Sequence, residues 1–124
     1  MQDRPAKPFE IRLTPEPGPR AGVAVLELRG FLDAHAIAEF DRESQRHLDA
    51  GFTRLVLDTH DLTYISSAGI GSLVGLSRHV ARLGGDLVLL TPPSKILSIL
   101  ELLDFTKILK IVATKEEALE ALSD

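Results

Sequence analysis

Apolar residues recur along this chain with the two spacings that distinguish strands from helices. Residues 9–13 alternate apolar and polar side chains, which predicts a strand with one solvated face. Three segments of strand length, at residues 23–28, 53–58 and 86–90, each contain a continuous apolar run. A short run at residues 108–112 predicts a final strand.

The segments between and after these strands carry apolar residues at the 3.6-residue spacing of amphipathic helices. Asp33 is a candidate N-cap for the first helix, and Gly51 is suited to end it. The spacing of Thr114 and Glu117 predicts a capping box for the last helix. The predicted helices span residues 34–50, 67–83, 95–103 and 114–122. Their predicted core-facing residues are Ile37, Phe40, Ser44, Leu48, Ile70, Leu73, Val74, Ser77, Val80, Ala81, Ile96, Ile99, Leu100, Leu103, Ala118, Leu119 and Leu122. Residues 102–105 are apolar for a helix end and belong either to the core or to an interaction ridge.

The order ββαβαβαβα predicts a single α/β domain with a mostly parallel, five-stranded mixed sheet and about four helices. The first two strands should be the antiparallel exception, joined by a Pro- and Gly-rich connection at residues 14–22. Prolines at positions 15, 17 and 19 confine the first strand to a sheet edge. We expect residues 1–8 to form a flexible tail and residues 9–124 to form the domain.

Composition narrows the classes of partner. The chain has 124 residues, a net charge of −4 and no Cys. An acidic chain is unsuited to nucleic acid as its main partner. The lack of Cys excludes disulfides, thiol nucleophiles and cysteine-bound metals, and it is compatible with a reducing cytosol. No apolar run approaches the 18 residues of a membrane span, so we expect no membrane insertion.

The segment from Asp61 to Gly71, with the sequence DLTYISSAGIG, is the most informative part of the chain. It runs from the third predicted strand into the second helix and places Ser67 at the helix start. Unpaired N–H groups and the helix dipole favour a phosphate at such a position. Ser67 is also a plausible N-cap, and Ser66 competes with it as cap and as phosphate acceptor.

Two further features of this region allow both a structural and a functional interpretation. Gly69 and Gly71 each lower helix stability by about 1 kcal/mol relative to Ala. Their presence at a helix start indicates close approach either by the chain's own sheet or by a partner. Asp33 follows the second strand, and the carboxyl ends of parallel strands share one edge of the sheet. It is therefore either a plain cap or an acidic contact beside Ser67.

Enzymatic classes fit the sequence poorly. Asp58 is placed like the acceptor of a two-component receiver, but no acidic pair for Mg²⁺ follows an early strand. A catalytic triad can be imagined from Ser67, His60 and Asp33. The Gly-x-Ser-x-Gly elbow that would hold its nucleophile is absent, however. The histidines lack metal-ligand spacing. We therefore expect no enzyme activity, no metal and no cofactor. The histidines are His35, His47, His60 and His79.

From residue 23 to residue 122 the chain resembles STAS-domain proteins, specifically the bacterial anti-sigma factor antagonists. Gly30-Phe-Leu-Asp33 is similar to the family's Gly-x-Leu-Asp after the second strand. The segment from Asp61 to Gly71 is similar to the strand-exit loop, in which the serine two residues before a glycine is phosphorylated. Residues 84–89 and 94–105 are similar to the fourth strand and third helix.

The resemblance implies a cytoplasmic, non-enzymatic module of transcription regulation whose partner binding is switched by phosphorylation. Ser67 would be the phosphate acceptor, with Ser66 as the alternative. The unphosphorylated form would bind an anti-sigma factor that is also a serine kinase and so release sigma factor, and a PP2C-type phosphatase would reverse the modification. The implied partner-binding residues are Asp33, Ser66, Ser67, Ala68, Gly69 and Ile70. Oligomeric state is not implied.

The chain departs from the family pattern at two positions beside the acceptor. Ser66 stands where many members have Asp, and Ala68 stands where several have Ser or Thr. The alternative function is a STAS scaffold or ligand-sensing subunit of a transporter or stress-signalling complex, which keeps the fold without phosphorylation.

Overall fold

Five strands form one sheet in the order β1-β2-β3-β4-β5 in the computed structural model, which describes residues 8–15 and 22–122. The strands are β1 Phe9–Pro15, β2 Val23–Leu32, β3 Arg54–Ile65, β4 Asp86–Leu90 and β5 Lys110–Val112. β1 and β2 pair antiparallel, and all other neighbours pair parallel. The predicted fold class and the edge position of the first strand are confirmed. The predicted tail at residues 1–8 and the Pro-rich connection lie largely outside the described residues.

Helices cover both faces of this sheet. They are α1 Ile37–Asp49, α2 Ser67–Arg82, α3 Ser94–Leu102 and α4 Lys115–Leu122, with a 3₁₀ turn at Phe105–Lys107. Alternate residues of each central strand face opposite sides, so the sheet divides the apolar residues into two clusters. The larger cluster lies under α1, α2 and α3, and the smaller one packs against α4.

The ends of the helices follow local sequence signals in most places. Gly51 and Gly84 have φ of 101° and 82°, so each takes the left-handed conformation that ends a helix. The capping box of α4 is confirmed. Glu117 N donates to Thr114 Oγ1 at 3.1 Å, and Thr114 N donates to Glu117 Oε1 at 3.2 Å.

The start of α1 differs from the prediction. Asp33 Oδ1 accepts hydrogen bonds from the backbone N–H groups of His35 and Ala36, at 3.0 and 3.2 Å. These bonds hold a turn at residues 34–36, and the helix begins only at Ile37 with Ala36 as its N-cap. The prediction of Asp33 as the N-cap is therefore wrong, because its carboxylate caps the preceding turn.

Two residues predicted to face the core are exposed. Ala81 lies on the solvent side of α2, and Leu103 is 52% exposed after the end of α3. Leu102 is 83% exposed, whereas Phe105 is partly buried and packs against the main core, so residues 102–105 are divided between surface and core. α3 ends at Leu102, one residue before its predicted end, so Leu103 lies outside the helix.

β3 is seven residues longer than its predicted end at residue 58. Between the predicted strand at residues 53–58 and the helix at Ser67 the sequence predicts a loop, but the strand continues to Ile65 and pairs with the second half of β2. Two register shifts in the β2–β3 pairing accommodate the change in the burial pattern along β3. Leu62 and Ile65 are buried, which drives the extension. Asp58 consequently lies inside the strand and not at its end.

The extension of β3 predicts a large effect of truncating Leu62, which is 1% exposed. Leu62→Ala should lower the free energy of unfolding by about 2–5 kcal/mol. Thr63→Ala is the matched control, since Thr63 is exposed and donates one hydrogen bond to Gly30 O. It should cost no more than about 1 kcal/mol. Urea unfolding measures both, and equal effects would contradict a buried strand here.

Candidate functional site

A single residue, Ser66, connects β3 to α2. Its backbone is extended, with φ −90° and ψ 171°, and its N–H donates to Leu32 O at 3.0 Å. Its Oγ accepts from Gly69 N at 3.1 Å. Ser66 is therefore the N-cap of α2, and its partly buried hydroxyl is engaged in holding the helix start. This decides between the two serines that the sequence left open as caps.

Ser67 is the first residue of α2 and is exposed, as is Ala68. The first helical turn presents backbone N–H groups that lack partners within the helix, and the positive end of the helix dipole lies there. No acidic residue lies in this first turn. The position can therefore accommodate a negative group on the Ser67 side chain.

Strand pairing places Asp33 and the two serines at one edge of the sheet. Leu32 pairs with Ile65, so Asp33 and Ser66 directly follow neighbouring parallel strands. Asp33 is partly buried, and its carboxylate holds the turn before α1. We call the surface formed by Phe31, Asp33, Tyr64, Ser67 and Ala68 the Ser67 rim.

Gly69 and Ile70 support this rim from below. Both are buried, and Ile70 is 3% exposed in the main core. A Cβ on Gly69 would lie 2.4 Å from Leu32 O and 2.9 Å from Ile65 Cγ1. Gly69 is thus required by the packing of α2 on its own sheet. The side chain of Ile70 likewise packs in the core.

An aromatic pair at the rim was missed by the sequence analysis. Phe31 and Tyr64 are register partners on β2 and β3, with ring centroids 6.2 Å apart in an edge-to-face arrangement. They are 49% and 50% exposed. Exposed aromatic residues are enriched among the residues that anchor protein interfaces. The sequence could have revealed this pair only through the position of both residues near the ends of adjacent strands. That position becomes evident only when the end of β3 is known.

A cavity of about 260 Å³ lies beside this pair. Phe9, Phe31 and Ala36 give it apolar walls, and Asp33 and His35 add polar groups. A pocket of this size and lining suits a side chain of a partner better than a whole cofactor, since cofactor sites are usually larger.

The catalytic triad considered from the sequence is not assembled. His60 Nδ1 lies 2.8 Å from Asp58 Oδ1, and His60 Nε2 lies 3.4 Å from Asp61 Oδ2. The imidazole is thus committed to carboxylates of its own strand, β3. Within the described residues no cluster of His, Asp or Glu could hold a metal ion. In the same part of the chain, no helix combines the length and apolar character needed to cross a membrane.

The geometry defines an α/β domain that displays one serine at the start of a helix, above the ends of two parallel strands. The sequence profile of the STAS domain matches residues 16–118. The chain therefore belongs to the STAS domain family.

Relatives and solved structures agree with this assignment. A proposed anti-sigma factor antagonist of Bordetella bronchiseptica, BtrV, is 27% identical over 100 residues, covering 81% of this chain and 86% of BtrV. An anti-sigma factor antagonist from Mycobacterium paratuberculosis superposes with a TM-score of 0.80 at 16% identity, covering 99% and 100% of the two chains. The phosphorylated form of SpoIIAA from Bacillus gives 0.66 at 21% identity, covering 90% and 98%. At these identities the structures show a shared fold.

The contrast between Gly69 and Gly71 predicts opposite effects on stability. Gly69→Ala should lower the free energy of unfolding by about 1–3 kcal/mol, because its Cβ would collide with the β2 backbone. Gly71→Ala should raise it by up to about 1 kcal/mol, because a Cβ there meets nothing within 4 Å in the described part of the chain. Thermal and urea unfolding measure both variants. A destabilised Gly71→Ala would show that α2 packs differently.

The His60 cluster predicts a pH-dependent contribution to stability. The hydrogen bond that His60 Nδ1 donates to Asp58 Oδ1, together with the charges of Asp58 and Asp61, raises the pKa of His60 above 6.5. This contribution is fully present below the unfolded-state pKa and disappears as the pH rises through the higher folded-state pKa. His60→Gln should therefore cost more stability at pH 5.5 than at pH 8.5. Because His60 is exposed, the difference should stay below about 1 kcal/mol.

A double-mutant cycle identifies the carboxylate responsible. In an Asp58→Asn background, His60→Gln should lose most of its pH dependence, since the nearest negative charge is absent and the amide oxygen can accept only a neutral hydrogen bond. Urea unfolding at the two pH values gives all four free energies. An identical pH dependence in both backgrounds would assign the effect to other groups.

Proposed function

We propose that this chain is an anti-sigma factor antagonist whose docking to an anti-sigma factor with serine kinase activity is switched off by phosphorylation of Ser67. The observation that carries the proposal is the division of roles between adjacent serines. Ser66 holds the helix cap, whereas Ser67 is displayed at the first residue of α2. The description of BtrV as a proposed antagonist supports this function.

Ser67 suits the phosphate acceptor role better than Ser66. A kinase must reach the hydroxyl oxygen, and Ser67 is exposed. Ser66 is partly buried with its Oγ bonded to Gly69 N, so modifying it would break the cap of α2. Loss of an N-cap costs about 1 kcal/mol. Exposure of Ser67 equally allows a PP2C-type phosphatase to remove the group.

Phosphorylation should change docking and leave the fold intact. The group adds about −1.5 to −2 charges to a chain whose net charge is already −4. The dipole of α2 stabilises it by about 0.3–1 kcal/mol. A partner surface complementary to a neutral hydroxyl would instead bury an unpaired dianion at a cost of several kcal/mol. The modified rim is therefore rejected by its partner while the domain remains folded.

The proposed contact surface is the Ser67 rim. Phe31 and Tyr64 provide apolar anchors, and Asp33 offers a carboxylate to a basic group of the partner. Gly69 and Ile70 act through the position of α2, since both are buried. An anti-sigma factor that uses ATP acts in the cytoplasm, which we propose as the location of this chain.

Substitution of Ser67 by Asp should reduce affinity for the cognate kinase about a hundredfold, equivalent to about 2.7 kcal/mol. Ser67→Ala should bind like the wild type, because it adds no charge. The test uses each anti-sigma factor with serine kinase activity encoded in the source genome, purified and titrated by calorimetry. Incubation with ATP, followed by mass spectrometry, should place the phosphate on Ser67.

Ser66→Ala is the matched control. It should lose about 1 kcal/mol of stability with the cap but should still be phosphorylated at Ser67. Phosphate on Ser66 alone would overturn the assignment, and so would a Ser67→Asp variant that binds like the wild type. The second outcome would favour a scaffold or ligand-sensing role that needs no phosphorylation.

A further inference from the structure

The backbone of β2 divides its hydrogen bonds between its two neighbouring strands. Leu32 O accepts from Ser66 N on the β3 side at 3.0 Å, whereas Phe31 N donates to Pro8 O on the β1 side at 2.8 Å. Successive residues of a strand direct their backbone groups to opposite sides. The odd-numbered residues of β2 therefore face β1.

This alternation and the register of β1 decide which backbone groups of β1 point outward. Glu10 pairs with Arg29 and Arg12 pairs with Glu27, so the backbone groups of Glu10 and Arg12 are directed at β2. The residues whose N–H and C=O groups point away from the sheet are Phe9, Ile11 and Leu13. Among the described residues no second strand pairs with this edge, which is a template for another strand.

The side chains of β1 alternate in character as well. Phe9 is buried, and Ile11 and Leu13 are partly buried against the main core. Glu10 and Arg12 lie on the opposite face of the sheet, where each forms an ion pair with β2, at 3.9 and 4.0 Å. The edge therefore presents an apolar row on one face, and one acid and one base on the other.

The order of these charges selects a second copy of β1 as the partner of this edge. Because the outward backbone groups must meet, two antiparallel copies of β1 can be centred on Glu10, Ile11 or Arg12. A centre at Glu10 or at Arg12 places a charged residue opposite its own copy, which is destabilising. A centre at Ile11 places Glu10 of each copy opposite Arg12 of the other. In the same register Phe9 meets Leu13, so all three outward residues are used.

We propose that this chain forms a symmetric dimer in which the β1 edges of two copies pair antiparallel around Ile11. Each outward N–H of one copy donates to a carbonyl oxygen of the other, and the two sheets become continuous. The contact uses the same edge on both copies, so it closes at two. Ser67 follows β3, two strands from this edge, and the dimer therefore presents two Ser67 rims. This inference does not depend on the proposed function.

Sedimentation velocity over a concentration series measures the dimer directly. The wild type should show a reversible equilibrium between monomer and dimer. Ile11→Pro should weaken dimerisation about tenfold or more, because two central hydrogen bonds lose their donors. Circular dichroism should show that this variant folds, since proline is tolerated in an edge strand where the N–H faces outward. Ile11→Val is the matched control, because it keeps the N–H, and it should dimerise like the wild type.

Glu10→Arg and Arg12→Glu test the register by charge. Either variant alone opposes like charges at two places in the interface and should dimerise about tenfold more weakly or less. An equimolar mixture of the two variants restores both pairs of opposite charges. It should therefore form a mixed dimer with close to wild-type affinity.

Single cysteines report the register independently, because the chain has no Cys of its own. Ile11→Cys should form a disulfide-linked dimer under mild oxidation, since the facing Cα atoms of a hydrogen-bonded pair lie about 5.5 Å apart. Thr14→Cys is the matched control. Thr14 is exposed on the same strand, but in this register its two copies lie about 20 Å apart and should not crosslink.

Several outcomes would overturn the proposal. One is a wild type that stays monomeric up to about 1 mM. Another is a dimer that a folded Ile11→Pro variant leaves intact, or one in which Thr14→Cys crosslinks as fast as Ile11→Cys. A mixture of the two charge variants that dimerises no better than either alone would assign dimerisation to another surface. If Ile11→Pro does not fold, the charge variants and the crosslinks decide.

Discussion

The position of Ser67 depends on a close contact between the start of α2 and the end of β2. Ser66 N donates to the carbonyl oxygen of Leu32, and Gly69 lies so near this oxygen that a Cβ would be 2.4 Å from it. These two contacts hold the helix over the strand end and bring Asp33 and Ser67 to the same edge. A larger residue at position 69 would displace the helix start and the serine with it.

Adjacent residues at the start of α2 serve opposite purposes, and the helix is less stable where it displays a surface. Ser66 satisfies a backbone N–H, while Ser67 leaves its hydroxyl in solvent. Gly69 is needed for packing, while Gly71 and Gly75 each cost about 1 kcal/mol of helix stability without an internal contact in the described chain. Natural sequences depart from local stability rules chiefly at functional sites, and these departures lie together along α2.

The sequence predicted most of the fold because its signals are local. Alternation at residues 9–13 and the prolines after it predicted an edge strand, and β1 lies at the edge. Gly51 ends α1, and Thr114 with Glu117 forms the predicted capping box. Each signal depends on side chains within a few residues of one another, whose preferences hold in almost any tertiary context.

By itself the sequence determined the order of strands and helices and the placement of a serine at a helix start. Only the tertiary structure decided that β3 continues to Ile65, that Ser66 and not Ser67 caps α2, and that Phe31 meets Tyr64. It also decided that the hydroxyl of Ser44, which faces the core as predicted, has no hydrogen-bond partner among the described residues. The extent of β3 and the aromatic pair depend on pairing with residues far away in the chain, which local hydrophobic pattern does not encode. The Ser66 cap bond to Gly69 is local, but the helix start that it caps is held by the distant bond from Ser66 N to Leu32 O.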